Sequence, residues 1–114
     1  MTSTVGADVH TAETGGAAAL PREADAVIVG GGHNGLVAAG FLAKAGLHPV
    51  VLEARANVGG ATTTEQPWGP EFKVTALSYV MSLMPDAIVD GLDLPRFGYE
   101  IEPLGPAYHP QLDG

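Results

Sequence analysis

The chain of 114 residues carries thirteen Asp and Glu against five Lys and Arg, a net charge of −8, and no cysteine. That length fits one domain at most, the charge disfavours nucleic acid, whose phosphates need Lys and Arg, and disulfide scaffolds, thiolate metal sites and dithiol motifs are excluded. Apolar residues make up 46% and charged ones 16%, the composition of a folded protein.

Residues 1–24 are rich in Thr, Ala and Gly, and Val5, Val9 and Leu20 recur without a period. Such a segment buries too little apolar surface to offset its ordering entropy, so a disordered tail is expected. A transit peptide is the competing reading. Arg22 as the sole basic residue, together with Asp8, Glu13 and Glu23, argues against it. The start also lacks the basic and then apolar pattern of a signal peptide. No apolar run approaches the ~20 residues that cross a bilayer. The expectation is a soluble, cytoplasmic chain.

From Asp25 the character changes. Asp25-Ala-Val-Ile-Val-Gly30 is a β-branched run that predicts a strand buried on both faces. Residues 36–45 are dominated by Ala and Leu, strong helix formers, and predict a largely buried helix. Gly46 suits a helix C-terminus, and Pro49 prevents continuation. Pro49-Val-Val-Leu-Glu53 predicts a second buried strand, which completes one βαβ unit. From Glu65 onward the signals weaken, with seven of nine prolines and eight acids against two bases. Residues 72–75 predict a short strand, and residues 85–92 a short helix with Pro85 first and Ile88 and Leu92 on one face. Residues 99–104 alternate as a half-exposed strand would.

The chemistry concentrates in Gly30-x-Gly32-x-x-Gly35, which follows a predicted strand and opens a predicted helix. Seventeen residues follow and then an acid, Glu53, stands at the end of the next strand, the arrangement of a dinucleotide site. Gly30 permits the tight turn, Gly32 allows backbone to approach a pyrophosphate, and Gly35 allows close helix–strand packing. The helix start supplies unpaired N–H groups and partial positive charge, so no cationic side chain is needed. Glu53 is placed to accept from ribose hydroxyls. Two plainer readings compete: a hairpin turning at Asn34-Gly35, and Glu53 as a surface acid.

The sequence here resembles FAD-dependent oxidoreductases of the phytoene desaturase and amine oxidase type, most nearly their pyridine nucleotide-disulphide oxidoreductase domain-containing protein 2 branch. The resemblance rests on Gly30-Gly-Gly-His-Asn-Gly-Leu-Val37, Leu52-Glu-Ala-Arg55, Gly59-Gly60-Ala61 and Phe72-Lys-Val-Thr-Ala-Leu-Ser-Tyr79, and spans residues 25–109. It implies an α/β fold, a Rossmann-like βαβ FAD/NAD(P)-binding unit that is the N-terminal portion of a larger fold. Residues 25–114 would then be a partial FAD-binding domain. By that resemblance Gly30, Gly32, His33, Asn34 and Gly35 hold the FAD diphosphate, and Glu53 the adenosine ribose. Arg55 lies beside the adenosine, and Gly59 and Gly60 let backbone pass near the diphosphate and flavin chain. Relatives often carry arginine where this chain has Ala61, so backbone N–H groups or Thr62 to Thr64 would replace it.

Other residues carry plainer expectations. His33 presents backbone rather than a catalytic imidazole, and His10, His48 and His109 lack metal-ligand spacing. Thr62-Thr-Thr-Glu65 fits a capping box, but the prolines that follow prevent a helix. Trp68 reads as loop packing. The stretch from Tyr79 to Pro85 reads as core packing in preference to contact with a lipid surface or lipophilic substrate. The resemblance implies hydride removal from a lipophilic, polyene-like small molecule. The alternatives are a non-catalytic nucleotide- or partner-binding fragment and an NAD-binding dehydrogenase module. Family members are several times longer, so the expected partner is the remaining part of the same enzyme or a second copy of the chain.

Overall fold

The structure is a computed structural model and describes residues 8–11, 21–78, 80–81 and 83–106. Its centre is a parallel three-stranded sheet in the order β1-β3-β2, formed by β1 (Asp8–Thr11), β2 (Ala26–Val29) and β3 (Pro49–Glu53). Helix α1 (His33–Lys44) connects β2 to β3, so the predicted βαβ unit is present. β3 lies in the middle because its Val-Val-Leu run suits a strand with neighbours on both edges. Pro49, Val50 and Val51 are buried, and Ala39 of α1 packs into the same small core.

The helix begins three residues earlier than the Ala/Leu run suggested, inside the glycine turn. Gly32 is the N-cap, and it has no side chain to signal the start. Asn34 and Gly35 are therefore helical, which overturns the hairpin reading. The helix ends as Gly46 predicts. Gly46 has φ +86, its N–H donates to Ala43 at 3.0 Å, and the Leu47 N–H donates to Leu42 at 3.1 Å. These are the paired bonds of a Schellman end, which glycine adopts without penalty.

β2 is not buried on both faces: Ala26 and Ile28 are half-buried, whereas Val27 and Val29 are 60% and 86% exposed. The described helices cover one face of this edge strand and leave the other bare. Part of the expected tail is ordered into the sheet, with Val9 opposite Val51 in β1. The outer edge of β3 presents unpaired N–H and C=O groups, and an added strand satisfies them. Residues 1–7 and 12–20 lie outside the described residues. Residues 99–104 form no strand, because no neighbouring strand pairs with them and Pro103 has no N–H to give.

The remaining elements are short. β4 (Thr64–Glu65) and β5 (Val74–Thr75) pair antiparallel, so the predicted 72–75 strand shrinks to two residues. Helix α2 (Asp86–Leu92) follows Pro85, which caps it from outside instead of forming its first turn. Leu92 packs on Gly40 of α1, where an added Cβ would sit 3.1 Å from the Leu92 side chain. Lys44, in the last turn of α1, donates to the Gly91 carbonyl and ties the two helices together. Trp68 is 72% exposed and does not pack its loop. The Tyr79-to-Pro85 stretch is not core either: Met81 and Leu83 are exposed, because no described element covers them, while Tyr79 and Ser82 lie outside the described residues. No described helix is long and apolar enough to cross a membrane.

The uneven burial of the sheet has a measurable consequence. Val51→Ala removes two buried methyl groups and should cost about 2 kcal/mol. Val29→Ala, on the bare face, should cost less than about 1 kcal/mol. Denaturant midpoints of the two variants of this chain check the contrast.

Candidate functional site

The site lies beyond the carboxyl ends of β2 and β3, where the chain passes from strand to helix through successive glycines. Gly30 continues the ladder by donating to Leu52 at 2.8 Å, then turns at φ +99, a conformation that suits glycine. A Cβ at Gly32 would meet nothing within 4 Å, so the space above it is open to an approaching group. A Cβ at Gly35 would fall on the Gly30 carbonyl oxygen and within 3.2 Å of Ile28, so the helix closes on the strand only with glycine there. The three glycines thus meet three different demands: a dihedral angle, an open approach and a close contact.

The first backbone bond at the start of α1 is Leu36 N–H to Gly32 at 2.9 Å. The N–H groups of His33, Asn34 and Gly35 precede it, have no backbone acceptor among the described residues, and form the positive end of a twelve-residue helix. The first turn carries no acidic residue, and Lys44 lies in the last turn, so the charges at both ends favour the dipole. Such an end takes an anion through backbone alone.

Glu53 closes the other side. Its Oε2 accepts from the Gly31 N–H at 2.7 Å and its Oε1 from the Arg55 N–H at 2.9 Å. These bonds, the Arg55 one foremost, hold the Glu53 carboxyl below its ordinary pKa. The carboxylate therefore holds the turn in place, while its unused lone pairs remain available to a sugar hydroxyl. Arg55 contributes its backbone to this arrangement, and its exposed side chain borders a separate groove with Asn57, Thr64 and Gln66.

The second glycine pair docks on the first. Gly59 donates to the Gly31 carbonyl at 2.7 Å and bridges Gly32 in parallel, and a Cβ on Gly60 would sit 3.1 Å from the Gly32 Cα. Gly59 and Gly60 have φ +119 and +58 and lead into a 3-10 turn, Gly60–Thr62. There the Thr62 hydroxyl donates to the Gly59 carbonyl at 2.9 Å. His33, Ala61 and Thr62 line one cleft with Leu77 and Ser78. Of the residues singled out from sequence, the glycines, Glu53 and the Arg55 backbone form one connected unit. Asn34 is exposed in the first helical turn, and the Arg55 guanidinium stands apart. His48 pairs with Asp25 at the opposite end of the strands, its Nδ1 3.6 Å from Asp25 Oδ2, and His109 lies outside the described residues.

Sequence reasoning gave no role to Gly31 or Val58, and it placed Thr63 among the groups that replace an arginine, not in a bond within the loop. Gly31 is buried with both backbone groups bonded, and the Thr63 hydroxyl donates to the Val58 carbonyl at 3.3 Å. The only available signal was a third consecutive glycine at a position the motif leaves free.

Because Glu53 titrates lower in the folded chain, its stabilisation is complete above its ordinary value of about 4.5. It is lost as the pH falls through the depressed folded value. The melting temperature of Glu53→Gln relative to the native chain, followed between about pH 3 and pH 7, should show a constant gap that closes only at the acid end.

Comparison with known proteins places the chain. The NAD(P)-binding Rossmann-like domain matches residues 28–87. Pyridine nucleotide-disulfide oxidoreductase domain-containing protein 2 of Mus musculus is 39% identical over 103 residues, covering 90% of this chain and 18% of the relative. A limonene dehydrogenase polypeptide of Castellaniella defragrans is 42% identical over 62 residues, 54% of this chain and 11% of the relative. The flavin-containing amine oxidase of Danio rerio is 57% identical over 42 residues, 37% and 8% of the two chains. The chain spans less than a fifth of the length of these relatives. No solved structure matches. With a parallel sheet, a glycine turn and a carboxylate at the end of the second strand, matched over more than half its length, the chain belongs to the NAD(P)-binding Rossmann-like domain family.

Proposed function

We propose that the chain is the FAD-binding segment of a flavin-dependent, phytoene desaturase-like oxidoreductase that removes hydride from a lipophilic substrate. The observation that carries this reading is the Gly59-Gly60 pair seated on the Gly31-Gly32 turn, with the Glu53 carboxylate alongside. Two strips of bare backbone meeting beside a helix N-terminus fit a diphosphate, and the carboxylate fits the neighbouring ribose. The site needs no lysine or arginine, which accords with a net charge of −8.

The choice of FAD is supported by the Danio rerio relative, whose name states that it contains flavin and whose matched stretch is 57% identical. FAD, when bound, supplies the acceptor for two electrons and a hydrogen leaving a substrate C–H bond. The residues of this chain bind and orient the adenosine diphosphate half. The reacting carbon and its surroundings belong to polypeptide beyond this chain, either the rest of the same enzyme or a second copy. The small share of each relative that the chain covers supports that reading, as does the bare Val27 and Val29 face of β2. An NAD-binding module is the second reading, favoured by the description of the matched domain. Under it, Glu53 selects NAD over NADP, because a 2′-phosphate would meet like charge.

Titration of the chain with FAD, NAD and NADP, read by flavin fluorescence and calorimetry, separates these readings. FAD should bind tightest and NADP weakest. Glu53→Ala should weaken FAD binding about tenfold or more, the loss of a charge-assisted hydrogen bond. Saturation by NAD without FAD binding selects the second reading, and unchanged affinity in Glu53→Ala removes that residue from the site.

A further inference from the structure

We propose that Gly31, the position the glycine motif leaves free, is a positioning residue that fixes the Glu53 carboxylate for the adenosine ribose. The inference rests on the reading above, that Glu53 meets the sugar. Gly31 is buried, and both its backbone groups are engaged: its N–H donates to Glu53 Oε2 at 2.7 Å, and its carbonyl accepts from Gly59 at 2.7 Å. A Cβ at this position would sit 2.9 Å from Val58 Cγ1, 3.2 Å from Glu53 Oε2 and 3.3 Å from Glu53 Cβ. A methyl group there presses on the carboxylate from its bonded side and on a branched side chain with little freedom to yield. Its effect therefore falls on the aim of Glu53. Gly32 differs, because a Cβ there meets no protein atom and would intrude on the ligand space instead.

ADP carries the half common to FAD and NAD, and 2′-deoxy-ADP lacks one ribose hydroxyl, so their ratio of affinities reads the Glu53–ribose contact alone. The native chain should favour ADP about tenfold. In Gly31→Ala that preference should fall to about twofold or less, because ADP binding weakens more than 2′-deoxy-ADP binding does. Adding Val58→Ala removes the nearest obstruction, and the double variant should recover part of the preference. A Gly31→Ala chain that keeps the full preference, or loses both ligands equally, overturns the proposal. A native chain that binds neither nucleotide defeats the dinucleotide reading itself, a different outcome. Should Gly31→Ala fail to fold, amide NMR of Glu53→Ala supplies the test. The Gly31 amide proton should move upfield when its acceptor is removed, and an unmoved resonance overturns the proposal.

Discussion

The hydrogen bond from the Gly31 N–H to the Glu53 carboxylate is the constraint on which the rest of the site depends. A turn made of consecutive glycines has more backbone freedom to lose than any other sequence. It also has no side chains with which to hold itself. Order reaches it from β3 and the loop beyond: from Leu52 through Gly30, from Glu53 through Gly31, and from Gly59 through the Gly31 carbonyl. The register of the sheet therefore sets the site, since Val29 lies opposite Leu52 and brings Glu53 level with the turn. A slip of one residue would send Glu53 to the other face of the sheet and leave the turn without its carboxylate partner.

The same arrangement lets an acidic chain offer a place for an anion. The attraction comes from N–H groups and the helix dipole, both short-ranged and fixed by the fold. The overall charge acts over longer distances and is screened beyond about 10 Å in ordinary salt. The sequence respects this locally. No acid stands in the first turn of α1, and Glu53, close by, is paired with backbone donors.

What was legible in the sequence was local. The strand–turn–helix–strand order follows from β-branched runs, an alanine-rich stretch and glycines at fixed intervals, each of which acts within a few residues. What was not legible depended on distant partners. β1 has one apolar residue in a four-residue strand, and its order comes from the free edge of β3, some forty positions away. The exposure of Val27 and Val29 depends on which layers surround the sheet, and a β-branched run is the same whether or not they are present. Residues 99–104 alternate like a strand, but alternation describes a side-chain pattern and creates no neighbour to bond with. Gly31 was missed for a related reason: its need for glycine comes from Val58 and Glu53, far along the chain.

The site is assembled from three separate segments of the chain: the turn from Gly30 to Gly35, Glu53 with the Arg55 backbone, and the loop from Val58 to Thr63. The bonds that join them run from the Gly31 N–H to Glu53 and from the Gly59 N–H to the Gly31 carbonyl. The recognition proposed for the adenosine diphosphate half therefore draws on one βαβ unit and the loop that follows. Redox chemistry makes a different demand, because the reacting carbon must be enclosed, oriented and kept from water by several walls at once. Here two of the apolar side chains that line the His33 cleft, Leu77 and Leu83, are largely exposed. Binding a nucleotide and acting through it thus draw on different amounts of polypeptide, and the bond between Gly31 and Glu53 orders the turn proposed for the first of these.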